Sequence, residues 1–401
     1  MNNKTLIVGT FPPSKAGLAE YSFNMVEALA KNGHEIIVLA DKIGGRYKEL
    51  DLPDNVTVKR CWKFNSVINI PVILFHIFLN KPNIVWFNFL FTTFSDKRVL
   101  AFLSSSLPVL CRLSGFYSLV TLHHIFECMN FEHSSVKKVS KLEIIGTQLM
   151  TRLVLKANRV VVTLKTYKDI LEEKYKAQNV ARIPHGYFSK CGDTRATLDT
   201  NTMLIFGKFG TYKKVEPAIK VFEFVKLSIP NVKLVIAGTD HPSCKGYLDK
   251  VREDTKHVKG IQFLGYIPER DLEKLFKEAS LVFMPYLSNA GASGVLHNAC
   301  VYGLPVVCPD LPDFKKMAEE EKIAIDFHGK DNLTEASLLV RDMLCSEERR
   351  NKSGRLNFLN AQMYSMNWVI SKYLNIISID TVHMKSSPSF SKYAKNLNAK
   401  T

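Results

Sequence analysis

At 401 residues the chain is long enough for two domains that each bury a core, and 46% apolar with 23% charged residues excludes a disordered polymer. A formal net charge of +16 asks for an anionic partner: a phosphorylated substrate, an anionic membrane surface or nucleic acid. Nucleic acid is not expected, because no zinc-finger, helix-turn-helix or RNP-like signature is present. The eight cysteines form no C-x-x-C pair and the start, MNNKTLIVGT, is polar, so a reducing cytoplasm and no secretion signal are expected.

In chain order, the first half alternates short β-branched runs with helical patterns. TLIVGT reads as a strand, 18–32 as a helix, and EIIVLA, NIVWFN, SLVTLH and RVVVTL as further strands. This is the wiring of a parallel sheet, whose strands are buried on both faces by crossover helices. INIPVILFHIFL, residues 68–79, is apolar but too short to span a bilayer and contains Pro71; a buried helix is expected there in preference to an interfacial one. NFLFTTF and VLAFLSSSLPVL add further apolar surface. Residues 135–159 have helical apolar spacing with Lys137, Lys138, Lys141, Arg152 and Lys156 off the apolar positions. That stretch is open to two readings, a solvated helix face or a surface for anionic lipid.

Around 182–200 periodicity lapses into Pro, Gly and polar residues, which predicts a linker. The wiring then restarts: strand TMLIFGKF, helix 215–228, strand VKLVIAG, helix 244–257, strand IQFLGYI, helix 269–279, strand LVFMPY, helix 294–302 and strand PVVCPD. The expected architecture is therefore α/β, two Rossmann-like doubly wound domains, 1–186 and 200–360, facing a central cleft lined by the carboxyl ends of their strands. Residues 363–377 predict an amphipathic helix carrying Trp368 and Tyr373. Past residue 380 the chain is polar, with lysines unopposed by acid, and 381–401 is expected to be a disordered basic tail.

The residues that carry chemistry lie at predicted strand ends. In NAGASGVLHNACVYGLPVV, 289–307, a loop of small residues runs into a helix starting near Gly294. Free N–H groups at a helix N-terminus suit a phosphate, and Gly291, Ser293 and Gly294 would let one come close, although Ser293 serves equally as an N-cap. FGKFGTYKK places Gly207 and Lys208 at a strand end and Lys213 and Lys214 in the following turn. These cations suit a diphosphate, but the segment is not a Walker loop. TFPPSKAGLAEYS offers Gly17 in a loop between strand and helix, without the G-x-G-x-x-G fingerprint. VTLHHIFE puts His123 and His124 at a strand tip, and IPHGY puts His185 at the predicted hinge, where a turn is reading enough. No D-x-D pair, G-x-S-x-G or H-E-x-x-H occurs, so no metal ion and no cofactor are expected.

The order and spacing of PPSKAGLAEYSFNMVEALAKNGHEIIVLA, VTLHH, IPHGY, FGKFGTYKKVEPAI, KLVIAGTD, FLGYIPERDLEKLFKEASLVFMPY and SGVLHNACVYGLPVV resemble the family 4 retaining glycosyltransferases, over nearly all of residues 1–380. The resemblance implies the GT-B fold and a hexosyl transfer without metal. The donor would be a nucleotide sugar (UDP- or GDP-linked), and the acceptor a saccharide or lipid-linked saccharide. It implies that Lys208 and Lys213 face the donor diphosphate, that His123 faces the transferred sugar, and that Gly17 approaches the donor from the first domain. It also implies that Tyr266 and Ile267 lie by the base, and that a C-terminal helix over 361–380 crosses back to the first domain. Most relatives carry two glutamates where this chain has Ala290 and Asn298. The resemblance is therefore to a subgroup lacking that pair, in which the amides of Ser293, Gly294 and Val295, with His297 and Asn298, would take over the contacts. The expected setting is surface polysaccharide or glycoconjugate biosynthesis, in the cytoplasm and at the inner face of the membrane. A non-catalytic subunit that binds a nucleotide sugar is the alternative.

Overall fold

The computed structural model describes residues 4–14, 16–45, 47–48, 50–128, 140–188, 201–288 and 292–386. The first sheet is formed by β1 (Lys4–Val8), β2 (Glu35–Asp41), β3 (Val56–Trp62), β4 (Ile84–Phe89), β5 (Tyr117–Leu122), β6 (Arg159–Val162) and β7 (Val180–Arg182). Their spatial order is β3-β2-β1-β4-β5-β6-β7, all parallel. β4 and β5 are buried along their whole length, which is why their sequences read as unbroken apolar runs and not as alternations. One face is covered by α1 (Ala19–Lys31), through Tyr21, Met25 and Leu29. The other is covered by α2 (Asn69–Asn80), α3 (Arg98–Ser104), α4 (Leu107–Leu113), α5 (Lys141–Val154) and α6 (Lys165–Tyr175).

The second sheet repeats the plan. It comprises β8 (Thr202–Phe209), β9 (Lys233–Asp240), β10 (Ile261–Gly265), β11 (Leu281–Phe283), β12 (Val306–Pro309) and β13 (Ile325–His328), in the order β10-β9-β8-β11-β12-β13. Around it pack α7 (Glu216–Lys226), α8 (Tyr247–Asp254), α9 (Glu269–Lys277), α10 (Gly294–Val301), α11 (Pro312–Glu321), α12 (Leu333–Cys345) and α13 (Glu347–Met363). In each sheet the order reverses beside the first strand, between β1 and β4 and between β8 and β11. At such a reversal the flanking connections diverge to opposite faces and leave a crevice at the strands' carboxyl ends.

The chain crosses between the domains twice, and the crossings are tied together. Tyr187 N–H donates to the Tyr364 carbonyl at 3.0 Å, and Met366 N–H donates to the Tyr187 carbonyl at 3.1 Å. Gly186 sits at φ +79, where a Cβ would lie 2.6 Å from Val369 Cγ2, so both backbone and packing require glycine there. The final helix, α14 (Met366–Ser386), then lies on α1 and the first sheet. Its anchor is Tyr373, fully buried 4.4 Å from the Trp86 ring and bonded to Thr121 Oγ1 at 2.9 Å. Trp368 is only half-buried. Asp380 closes the helix onto Arg159 and Tyr117.

Two expectations change, and elements appear where none was expected. Residues 381–386 continue α14 as helix, so the polar composition after 380 does not mark its end; 387–401 lie outside the described residues. The apolar stretch 68–79 is a helix with only one side buried: Ile73 and Ile77 enter the core, while Phe75 is 62% exposed. The second domain also holds α11, β13, α12 and α13 past the last strand read from the sequence; α12 buries Ala336, Val340, Met343 and Leu344 along one face. Among the described residues, no helix is long and apolar enough to cross a membrane.

Candidate functional site

The second domain contributes a cationic corner at its sheet reversal. β8 ends at Gly207–Lys208–Phe209, and Gly207 pairs in register with Gly238 of β9. The strands are so close that a Cβ on Gly238 would sit 1.8 Å from the Gly207 carbonyl oxygen. The following turn is closed by Gly210 N–H donating to the Lys213 carbonyl at 2.9 Å and by a bridge between Lys213 and Tyr286, just beyond β11. This turn folds Lys213 back over the strand end. Its Nζ lies 4.4 Å from the centre of the Tyr286 ring, a cation–π contact. A Cβ placed on Gly207 would meet Lys213 Nζ at 3.3 Å and Val295 Cγ2 at 3.9 Å, so the ammonium and the start of α10 converge on one point.

Burial and the nearby charge of Lys208 lower the Lys213 ammonium to about 8. Both lysines also lower the His241 imidazole, after burial. Two cations held against each other beside an aromatic face favour an anion between them. Lys208 is exposed and Lys213 half-buried. Lys214 does not join them: its Nζ donates to the Gly210 carbonyl at 3.0 Å and lies over the Tyr247 ring.

α10 begins beside this corner. Ser293 is its N-cap, accepting from Leu296 N–H at 3.4 Å, and no acid lies in its first turn. A side chain at Gly294 would meet no atom within 4 Å, and the same holds for Gly17 across the cleft. Ala290 and Gly291 lie outside the described residues. Asn298 is half-buried on α10. Tyr266, 57% exposed, and Ile267, packed against the core, follow β10 at the same carboxyl edge.

The first domain contributes neutral, hydrogen-bonded rings. His123, just past β5, is buried, and its Nε2 lies 2.5 Å from Asn88 Oδ1. An amide oxygen only accepts, so Nε2 carries the hydrogen and Nδ1 keeps its lone pair. Asn88 in turn donates to Ser22 Oγ at 2.7 Å, which fixes the ring through α1. Burial, with the charges of His185 and His124, holds the His123 imidazole well below its ordinary range, so it is neutral at pH 7. Burial alone brings His124 to about 4.

Between these halves runs a stack that the sequence did not disclose. Tyr21 packs edge-on against His123 at 4.5 Å and lies 4.8 Å from His185. His185 is stacked on His297 of α10 at 4.8 Å, with planes 9° apart. His297 Nε2 bonds Glu321 Oε2 at 3.1 Å, and the Tyr187 hydroxyl donates to the same oxygen at 3.2 Å. Burial would raise the Glu321 carboxyl, but His297 and Arg182 hold it below its ordinary value. His185 is therefore more than a turn residue; burial and the charge of His297 lower it to about 3. Glu321 ends a helix whose sequence, PDFKKMAEEE, looks like a solvated acidic face, so no local signal distinguishes it from its neighbours. His297 has its Nε2 committed to Glu321, leaving Nδ1 and Glu321 Oε1 without a hydrogen bond among the described residues.

The chain matches two family models in succession. Residues 16–187 match Glycosyltransferase Family 4 and residues 192–355 match glycosyl transferases group 1. A curated relative, an uncharacterized glycosyltransferase of Haemophilus influenzae, is 22% identical over 168 residues, which are 41% of this chain and 46% of that protein. The chain thus matches about half the length of that relative. Among solved structures, sucrose-phosphate synthase from Thermosynechococcus elongatus superposes with a TM-score of 0.73 at 13% identity, over 95% of this chain and all of that one. HepE of Anabaena in complex with UDP-glucose superposes with a TM-score of 0.66 at 12% identity, over 94% of this chain and 99% of the other. With one family model on each of its two Rossmann-like domains, this chain is a glycosyltransferase of the GT-B fold.

Proposed function

We propose that the protein moves a hexosyl group from a nucleoside diphosphate sugar to a saccharide or lipid-linked saccharide, with retention at the anomeric carbon. The observation that carries this reading is the convergence of Lys213 Nζ and the first turn of α10 on Gly207, with Lys208 beside them. Breaking the anomeric bond leaves charge on the diphosphate. Fixed ammonium groups and helix N–H groups stabilise that charge as it grows, without reorganising. No divalent ion is needed in this reading.

The nucleotide lies along the second domain, its base by Tyr266 and Ile267 and its ribose by Asn298. The transferred sugar lies toward His123, whose unprotonated Nδ1 accepts from a sugar hydroxyl; Gly17 gives the donor backbone access from the first domain. The acceptor hydroxyl attacks from the leaving-group side and passes its proton to a phosphate oxygen, which accounts for Ala290 and Asn298 standing where most relatives carry glutamates. The UDP-glucose held by HepE favours a uridine diphosphate sugar among the donors. The site of action is the cytoplasmic face of a membrane, in surface polysaccharide or glycoconjugate synthesis.

A thermal-shift screen of UDP- and GDP-sugars, repeated on Lys213→Ala, tests the donor site. A shift in the native protein that vanishes in the variant is the expected result. A shift of equal size in both removes the diphosphate from this corner. NMR of the product's anomeric proton tests retention.

A further inference from the structure

At the opposite end of the first domain from the cleft, by the amino ends of β5 and β6, lies a second cationic cavity. It has a volume of about 610 Å³ and is lined by Arg112, Arg152, Lys156, Arg159 and Lys176. Its frame is rigid. Arg112 donates to the Lys156 carbonyl at 3.1 Å, Arg152 lies over the Tyr175 ring at 5.3 Å, and Asn179 donates to the Leu155 and Ala157 carbonyls. Two acids touch this frame, and both are engaged: Asp380 with Arg159 and Tyr117, Glu127 with Tyr175 and Lys174. Neither Lys156 nor Lys176 forms an ion pair among the described residues. A guanidinium has five donors, so the arginines keep N–H groups for an incoming anion.

The helices that carry Arg112 and Arg152 also carry exposed apolar side chains. Leu142, Ile145, Leu149, Arg152 and Lys156 fall three or four residues apart, one stripe of α5 extended into the turn after it. Its first three members are exposed, Leu142 by 80%, and its last two line the cavity. Leu113, next to Arg112, is 71% exposed. α4 and α3 pack against α5, and α2 packs against α3 and α4. They add the exposed Val99 and Leu103 and the open side of α2, with Phe75, Phe78 and Leu79. Four adjacent helices thus present exposed apolar side chains, and two of them, α4 and α5, also carry Arg112 and Arg152 of the pocket. That pairing matches the boundary of a bilayer, where acyl chains lie beneath phosphate groups.

We infer that this face docks the protein on an anionic bilayer, with the cavity of Arg112, Arg152, Lys156, Arg159 and Lys176 receiving a lipid headgroup phosphate. The inference deepens the membrane side of the proposed function and rests on that, not on the chemistry of the cleft. The apolar stripe starts next to the segment that follows β5, on the cleft side, and ends at the cavity. A docked molecule would therefore hold its cleft near the surface from which a lipid-linked acceptor arrives.

The test is co-sedimentation of the full chain, without donor or acceptor, with phosphatidylcholine vesicles and with vesicles containing phosphatidylglycerol. Binding is expected to the anionic vesicles and to weaken with salt. The double variant Arg152→Gln, Lys156→Gln should lose about thirty-fold in partitioning, since each basic side chain near such a surface contributes ~1 kcal/mol. Leu142→Asp with Leu149→Asp should weaken binding without changing the net cationic character of the cavity. All four positions are solvent-facing, so melting temperature and nucleotide-sugar binding should stay at native values. No binding of the native protein to anionic vesicles overturns the inference, as does native-like binding by either double variant. Saturable binding of inorganic phosphate that Arg152→Gln, Lys156→Gln abolishes, with no vesicle association, also overturns it and assigns the cavity to a soluble anion. Any of these failures leaves the transferase reading intact, and loss of turnover in a cleft variant leaves vesicle binding intact.

Discussion

The six strands of the second sheet repeat the order of the first six strands of the other, and the two carboxyl edges have opposite chemistry. At the edge of the second, Lys208 and Lys213 are held close together, and burial with the charge of Lys208 depresses the Lys213 ammonium. At the edge of the first, His123 is buried, neutral and tied through Asn88 to Ser22. The comparison teaches that topology fixes where a crevice opens, while side chains at the strand ends fix what it takes. One wall is a charge trap that costs stability until an anion enters. The other is a satisfied polar network that orients a neutral partner.

The most damaging way to test this contrast is on the cationic wall. Lys213→Ala or Lys208→Ala should lower transfer by about 10²–10³-fold, the loss seen when one preorganised charge stabiliser is removed. The unfolding midpoint should stay close to native or rise for Lys213→Ala, because a depressed ammonium opposes folding. Turnover assays with the donor found by thermal shift, alongside calorimetry, check both halves. Native turnover in either variant would break the assignment.

The seam between the walls comes next. Glu321→Ala leaves His297 and the Tyr187 hydroxyl without their shared acceptor in a buried cluster. A loss of about 2 kcal/mol is expected in urea unfolding, the desolvation cost of orphaned polar groups. An unchanged midpoint would show that the seam carries no stability.

On the neutral wall, His123→Ala should reduce turnover by about tenfold while leaving nucleotide affinity unchanged, since a neutral ring contributes one hydrogen bond and no charge. Equal loss of nucleotide affinity would mean that both walls grip the diphosphate.

The smallest effect is in pH. With the Lys213 ammonium lowered to about 8, raising the pH through that value discharges the empty site. A bound diphosphate pulls the ammonium back up, so binding takes up a proton and nucleotide-sugar affinity should fall as pH rises above about 8. Folding has the opposite slope. The unfolded lysine holds its proton up to its ordinary value of 10.5, so the native state binds fewer protons between there and about 8, and stability rises with pH across that window. Titration calorimetry in buffers of different ionisation enthalpy measures the proton uptake. A flat affinity from pH 7 to 10 would place Lys213 away from the phosphates.

The sequence by itself determined the two parallel sheets, because strands buried on both faces must be written as unbroken apolar runs such as IVWFNF and RVVV. It also located Lys208, Lys213 and His123, since residues that directly follow such runs have to lie at a carboxyl edge. Spacing alone did not separate Lys213 from Lys214, which only the family resemblance singled out; their different directions come from a turn closed onto Gly210 and bridged to Tyr286. It did not distinguish Glu321 from the acids beside it, or bring it to His297 twenty-four residues away. Nor did it tell that the apolar helix at 68–79 keeps one side bare, or that Arg112, Arg152 and Lys176 meet around one cavity. Those facts depend on which elements the chain packs side by side, a property of long-range contacts that no local pattern encodes.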